Sequence, residues 1–322
     1  MSNNKLKCFF AFSNDIENNK TYIDLLIATL ESAKKNTTLD LYCIYVGNET
    51  DKIYGILKKY NVTVYITEIP FFSDLKKIYT KKYLVENNSG HVSDSSIKGR
   101  FSRFLIPNFT NDEYILYCDT DLIFLKDISL DDFKTLPKTV AVCPECENIQ
   151  VYDYFNAGVM LINVKSYAIK YKELLSMLKA GIHAKVECFD QGYLNDLYEN
   201  DFDMLPLEYN WKSYWGYNED AKILHFHGLK PNADVMIDLP FLRPYIYDNS
   251  IYTGFFKNYE LFCYYSGVDK TECLKKLKKT LAFNLNEDYR FHKKIKKARK
   301  MINALAISQV FLFAILIYIL LR

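Results

Sequence analysis

Strands and helices alternate through the first part of this chain, and that alternation restricts the fold more than any other feature. Leu6–Phe12 reads as a strand. Tyr22–Lys35 carries Tyr22, Leu25, Leu26, Thr29, Leu30 and Ala33 at helical spacing. Leu39–Val46 reads as a strand, Asp51–Tyr60 as a helix and Val62–Ile66 as a strand. A βαβαβ order predicts an α/β domain with a mostly parallel, doubly wound sheet flanked by helices on both faces. After the polar loop 86-ENNSGHVSDSS-96 the spacing predicts a helix over Ser96–Leu105 that stops before Pro107. A strand over Tyr114–Cys118, a short strand over Gly158–Asn163, a helix over Tyr167–Lys179 and another opening at Phe189–Leu197 follow. The run 223-ILHFHG-228 reads as a strand entering a loop, and beyond Pro240 the pattern weakens.

Two carboxylates interrupt the apolar run 114-YILYCDTDLIFL-125. A buried, unpaired carboxylate costs several kcal/mol or shifts its pKa. In open α/β sheets, however, ligands collect beyond the carboxyl ends of the strands. Ending the strand at Cys118 puts Asp119 and Asp121 at such a mouth. There an Asp-x-Asp pair offers oxygen ligands to a hard divalent cation, which commonly bridges carboxylates to a diphosphate. The bland alternative is an Asx-rich turn.

The C-terminal end has a different character. Residues 304–321, ALAISQVFLFAILIYILL, carry no charge and span roughly 27 Å as a helix, enough for a bilayer core. Before them lies 293-KKIKKARK-300, with six cations and no acid. The expectation is a single-pass tail anchor with the basic flank, and so the globular part, in the cytoplasm. A buried or surface-lying helix is the alternative. The net charge of +2 hides this asymmetry: residues 293–322 contribute +7, leaving −5 for the rest. The basic block therefore reads as a membrane collar and not as a nucleic-acid interface. The N-terminus lacks the features of a secretory signal, so the eight cysteines are expected to be reduced thiols. Cys143-Pro-Glu-Cys146 is a lone CxxC without the further ligands of a zinc site.

Six segments in order, FSRF (101–104), YCDTD (117–121), FNAGVMLIN (155–163), FDQGYLN (189–195), LPLEYNW (205–211) and HFHGLKP (225–231), resemble glycosyltransferase family 8. This family comprises retaining glycosyltransferases of the GT-A fold, among them bacterial lipopolysaccharide galactosyl- and glucosyltransferases and glycogenin. The resemblance covers roughly residues 6–231. It implies that Asp119, Asp121 and His225 hold Mn²⁺ or Mg²⁺, with Thr120 between the two aspartates at the donor. It implies that Lys230 holds the diphosphate, that Gly228 admits its close approach and that Arg103 reaches the donor. It implies that the segment from Ala11 to Asp15 holds the uridine, with Asn14 and Asp15 both open as its acidic-position match. It implies that Asn156, Ala157, Asp190 and Gln191 face the donor sugar, with Asp190 gripping hydroxyls; the bland reading of Asp190 is a helix N-cap, and a capping Asp could do both jobs. It implies that Asn210 and Trp211 lie near the sugar or acceptor, a plain core tryptophan being the alternative. The chain departs from the family's Lys-Pro-Trp ending at Asn232.

The implied activity is metal-dependent transfer of a hexose from UDP-glucose or UDP-galactose to a glycan or glycolipid acceptor. The membrane tail suggests an acceptor at the cytoplasmic face, such as a lipopolysaccharide core under construction. Gln191 is implied to lie near the reacting carbon, with front-face attack and a covalent intermediate both open. A UDP-sugar hydrolase and a non-catalytic nucleotide-sugar-binding protein are the competing classes. The expected layout is a GT-A transferase domain at 1–240, an appendage at 241–292, a basic segment at 293–303 and the anchor at 304–321.

Overall fold

The computed structural model of the chain describes residues 5–86, 93–146, 149, 151–186, 188–228, 230–231, 249–271 and 275, with backbone alone for 80–86 and 249–256. The expected anchor and basic collar lie outside the described residues. Among the described residues no helix is long and apolar enough to cross a membrane.

The predicted alternation is present. Strand β1 (Lys7–Ser13) is followed by α1 (Lys20–Asn36), β2 (Asp40–Val46), α2 (Lys52–Lys59) and β3 (Thr63–Ile66). Helix α1 starts where Asn19 Oδ1 accepts from the backbone N–H of Thr21 and Tyr22, at 3.1 and 3.4 Å. Lys34 and Lys35 complement the dipole at its far end. Next come α3 (Phe72–Glu86), α4 (Asp94–Phe101), β4 (Tyr114–Cys118), β5 (Leu122–Phe124), β6 (Val140–Pro144), β7 (Phe155–Asn163), α5 (Val164–Lys179) and α6 (Phe189–Leu197). The tiny strands β8 (Asp203–Met204) and β9 (Trp211–Lys212), then β10 (Ile223–His225) and α7 (Asn249–Ser266), complete the order. The helix expected over Ser96–Leu105 divides into α4 and a 3₁₀ segment, Ser102–Asn108, that runs through Pro107.

The main sheet has the order β3-β2-β1-β4-β7-β6-β8. Its β3/β2, β2/β1, β1/β4 and β6/β8 pairs are parallel, while β7 runs antiparallel to β4 and β6. The expectation of a single sheet needs correction. Strands β5, β10 and β9 form a second, three-stranded sheet. The apolar run 114–125 is thus two strands in different sheets, with Asp119-Thr120-Asp121 as the crossing.

The side-chain period of two sorts the core. Phe9, Ala11, Ile44 and Tyr117 face one side, where Leu75, Ile97, Tyr167, Leu174 and Leu194 from α3–α6 meet them. Cys8, Phe10, Phe12, Cys43 and Leu116 face the other, packed by Leu26, Leu30, Ile53 and Leu57 of α1 and α2 and by Leu122, Phe124 and Ile223 of the small sheet. A third cluster joins α1 and the small sheet to α7 through Leu25, Ala28, Ile123, Leu224, Tyr259 and Phe262. Within the main sheet, the chain leaves β1 for β2 on one side while β4 lies on the other. The crevice at the carboxyl ends of β1 and β4 is therefore the topological switch point, where open α/β sheets bind ligands.

Candidate active site

A cleft of about 400 Å³ opens at that switch point. Its walls include Ala11 and Asp15 from the end of β1, Asp119, Thr120 and Asp121 from the crossing, Asn156, Asp190, Gln191, His225 and Lys230. Residues widely separated in sequence meet here because strand ends, the start of β7 and the first turn of α6 all face the same crevice.

The Asp119-Thr120-Asp121 turn is held from three sides. Asp119 N–H donates to the Gly158 carbonyl at 2.8 Å, so its backbone still belongs to the main sheet. Phe226 N–H donates to the Asp121 carbonyl at 3.0 Å, so that residue already belongs to the small one. From α1, the buried Thr29 hydroxyl lies 2.9 Å from the Thr120 carbonyl and 2.8 Å from that of Leu122, and accepts from Leu122 N–H at 3.1 Å. Thr29 reads as one more inward position of an amphipathic helix; its role as a pin for the turn has no sequence signal.

Carboxylate oxygens of Asp119 and Asp121 and a ring nitrogen of His225 lie within 4.8 Å of one another. Asp119 Oδ1 is engaged by Arg103 Nη2 at 3.0 Å and Tyr117 Oη at 2.9 Å. Asp121 Oδ2 bonds Lys230 Nζ, which also donates to the Phe226 carbonyl at 2.8 Å. Asp121 Oδ1 is buried with no hydrogen-bond donor among the described residues and sits 3.2 Å from His225 Nε2. Burial lowers the His225 pKa to about 4 against the pull of Asp121, so the ring is neutral at pH 7. Its Nδ1 donates to Asn210 Oδ1 at 2.8 Å, which leaves a lone pair on Nε2. Two lone pairs therefore face each other across the gap, an arrangement a divalent cation would satisfy. For Asp121 itself, burial acts upward, but the Lys230 ammonium holds its pKa well below the usual carboxylate range.

Gly158 makes room for this cluster. A Cβ there would stand 2.5 Å from His225 Cε1, 2.9 Å from Asn156 Oδ1 and 3.1 Å from Asp119 Oδ2. The FNAG segment thus contributes its glycine as well as Asn156 and Ala157.

Arg103 is turned inward. Its Nη1 donates to the Ala157 carbonyl at 2.9 Å, Nε stands 2.8 Å from Asp190 Oδ2, and the guanidinium lies 4.4 Å from the Tyr117 ring centroid. It fixes Asp119 and Asp190 relative to each other while lining the cleft. Burial raises the Asp190 pKa, with Arg103 pulling it back down. Cys188 occupies the N-cap position of α6, so Asp190 lies inside the helix and does not cap it.

Gln191 Oε1 accepts from Ala157 N–H at 2.9 Å and its Nε2 donates to Glu145 Oε2 at 2.9 Å. Asp15 lines the cleft, whereas the Asn14 side chain bonds Asp51 instead. Gly228 has φ +76°, a conformation that favours glycine. Trp211 is half-buried, packs against Trp215 at the edge of the third cluster and donates to the Gly216 carbonyl at 2.9 Å, outside the cleft lining. Asn210 is fully buried and orients His225.

Sequence reasoning missed Glu145 and His227, which both line the cleft. Glu145 Oε1 pairs with His227 Nε2 at 3.0 Å, and Tyr214 Oη lies 2.9 Å from His227 Nδ1. His227 sits two residues after His225, on the quoted HFHG segment, and that alternation was the available signal. Glu145 falls within the CxxC, and the seven described cysteines, Cys143 and Cys146 among them, are all free thiols.

The family model described as Glycosyl transferase family 8 matches residues 16–234. Glycosyltransferase GlyE of Streptococcus pneumoniae serotype 4 is 33% identical over 119 residues, 36% of this chain and 29% of the relative. A probable glycosyl transferase, Gly, of Streptococcus gordonii is 32% identical over 115 residues, 34% of this chain and 17% of the relative. The matched regions thus span under a third of the length of these curated relatives. Among solved structures, apo GlyE of S. pneumoniae aligns with TM-score 0.54 and 19% identity, covering 86% of this chain and 64% of that one. The galactosyltransferase LgtC, solved with donor and acceptor sugar analogues, aligns with TM-score 0.52 and 16% identity over 80% of this chain and 95% of that one. At these identities the structural likeness concerns the fold.

Proposed function

Since this chain belongs to glycosyltransferase family 8, we propose that it moves a hexose from UDP-glucose or UDP-galactose to a hydroxyl of a glycan or glycolipid acceptor. The observation that carries this reading is the buried Asp121 Oδ1, without a donor, beside His225 and Asp119 in the switch-point cleft. Two carboxylates and an imidazole suit Mn²⁺, with Mg²⁺ as the second choice. Bound there, the cation would offset the charge gathering on the departing diphosphate.

The chain's own groups do the rest. Lys230 adds a positive charge at the same end of the cleft. Asp15, beyond β1, faces the nucleoside end. Asp190 and Asn156, held by Arg103 and Lys212, present fixed polar groups to the sugar. The Gln191 carbonyl oxygen is already engaged by Ala157 N–H, and the cleft carboxylates of Asp119, Asp121, Asp190 and Glu145 each have a cationic or histidine partner. Among the described residues none of these four stands ready as a nucleophile, and Asp15, the remaining cleft aspartate, lies at the nucleoside end, which favours front-face attack with retention over a covalent intermediate.

The basic collar and apolar tail, residues 293–321, support a membrane-held enzyme acting at the cytoplasmic face. The test is calorimetric titration of UDP into the full chain in detergent, with and without Mn²⁺, for wild type and Asp121→Ala. Binding that needs the metal and disappears in the variant is expected. A folded wild type that binds no UDP overturns the donor assignment. Release of free sugar without transfer to any lipid or glycan acceptor would point instead to a hydrolase.

A further inference from the structure

Lys212 holds Asn156, but the chemistry above leaves its buried charge unexplained. Its side chain is completely buried on β9, in register beside His225 of β10. Among the described residues no carboxylate lies within ion-pair distance of it. Its Nζ donates to Asn156 Oδ1 at 3.1 Å and stands 5.6 Å from the Trp215 ring centroid. Burying an ammonium without a paired carboxylate is costly.

The fold does not need the hydrogen bond that Lys212 supplies. Asn156 Oδ1 also accepts from Asn210 Nδ2 at 2.9 Å and Gly158 N–H at 3.1 Å, so removing Lys212 leaves no orphaned acceptor. The other end of the same amide gives the reason for the charge. Asn156 Nδ2 donates to Glu145 Oε2 at 2.8 Å, which forms a continuous ammonium–amide–carboxylate chain. Hydrogen bonds in such a chain polarise one another. Glu145 in turn holds Gln191 Nε2 and His227 Nε2.

We propose that Lys212 is a positioning residue, acting through the Asn156 amide to hold the Glu145 negative charge on the cleft wall and so to fix Gln191 and His227. Burial alone would push the Glu145 carboxyl up. The His227 and Asn156 hydrogen bonds and the Lys212 charge override this and hold it at about 2. The groups facing Glu145 are His227 from the loop after β10, Lys212 from β9, Asn156 from β7, Gln191 and Cys188 from α6 and its cap, and Tyr154 ahead of β7. Lys212 is brought down to about 8 by its burial and is still mainly charged at pH 7.

The functional meaning of this arrangement rests on the cleft being the transfer site, but its test does not. The full chain is labelled with [δ-¹³C]glutamate, and the Glu145 carboxyl signal is assigned by its loss in Glu145→Gln. In wild type the signal stays flat from pH 8 down to pH 4. In Lys212→Met it begins to titrate above pH 4, a shift of one unit or more, and the melting temperature does not fall. Lys212→Gln keeps a donor for Asn156 but no charge, and it shifts the signal in the same direction. A Glu145 signal in either variant that titrates as in wild type overturns the proposal, as does a Lys212→Met chain that cannot fold. Absence of UDP binding by wild type would sink the transferase reading and leave this titration decisive.

Discussion

Arg103→Met removes a buried guanidinium from between two carboxylates. Breaking a buried pair by deleting one partner costs about 3–5 kcal/mol, because the remaining charge is stranded. The two partners do not share this equally. The Asp119 side chain is 32% exposed and is partly rescued by water, whereas that of Asp190 is 5% exposed and bears most of the loss. The lower part of that range, about 3 kcal/mol, is therefore expected, or a fall in melting temperature of roughly 6–12 °C. The pH dependence identifies the cause. Burial already raises Asp190, and losing Arg103 raises it further above its unfolded value of about 3.9. A carboxyl raised in the folded state is destabilising above that folded pKa, and the penalty fades as pH falls through it. The deficit between variant and wild type is thus full at neutral pH and shrinks on acidification toward pH 4. Urea unfolding of both proteins at several pH values measures it. A deficit below about 1 kcal/mol, or one that does not shrink with acid, would refute the argument that Arg103 serves Asp190.

Other substitutions probe separate joints of the site. Gly158→Ala drives a methyl into His225 and Asn156, and Mn²⁺ affinity measured by electron paramagnetic resonance should fall at least tenfold, with about 1–3 kcal/mol lost to overpacking. Thr29→Val orphans the buried Leu122 N–H, costing about 1–3 kcal/mol in chemical denaturation, and it loosens the Asp119–Asp121 turn enough to weaken metal binding as well. Trp211→Phe deletes a hydrogen bond to Gly216 worth about 1 kcal/mol, yet UDP affinity should be unchanged because that ring packs on Trp215 outside the cleft lining; a change in affinity would return Trp211 to the sugar site.

The first three strands and two helices were legible because β1 and β2 are buried on both faces and read as near-continuous apolar runs, while α1 and α2 show a clear inward stripe. Helix α3 turns Leu75 and Ile78 inward among many lysines and polar residues, too little pattern to find. The small sheet escaped notice for a different reason. Strands of two or three residues carry no period, and nothing local marks the point where 114–125 leaves one sheet for another. The metal-binding candidates were legible as residue types in ordered motifs. Their connections were not: the Glu145–His227 pair spans 82 residues and Lys212 reaches Asn156 across 56, so each exists only once the chain has folded. Arg103 stood out in the FSRF segment and lines the cleft, but sequence could not show that its donors point to Ala157, Asp119 and Asp190.

The crossing at Asp119-Thr120-Asp121 gives any bound cation a mechanical role. One of its carboxylates is stitched to the main sheet through Gly158, and the other two ligands ride on the small sheet and the α7 face packed behind it. An ion held by all three would act as a rivet through a seam. Prying the seam open by even a fraction of an ångström would stretch its coordination, and tightening the coordination would draw the two plates together. Metal affinity would then serve as a strain gauge for the relative placement of the two sheets.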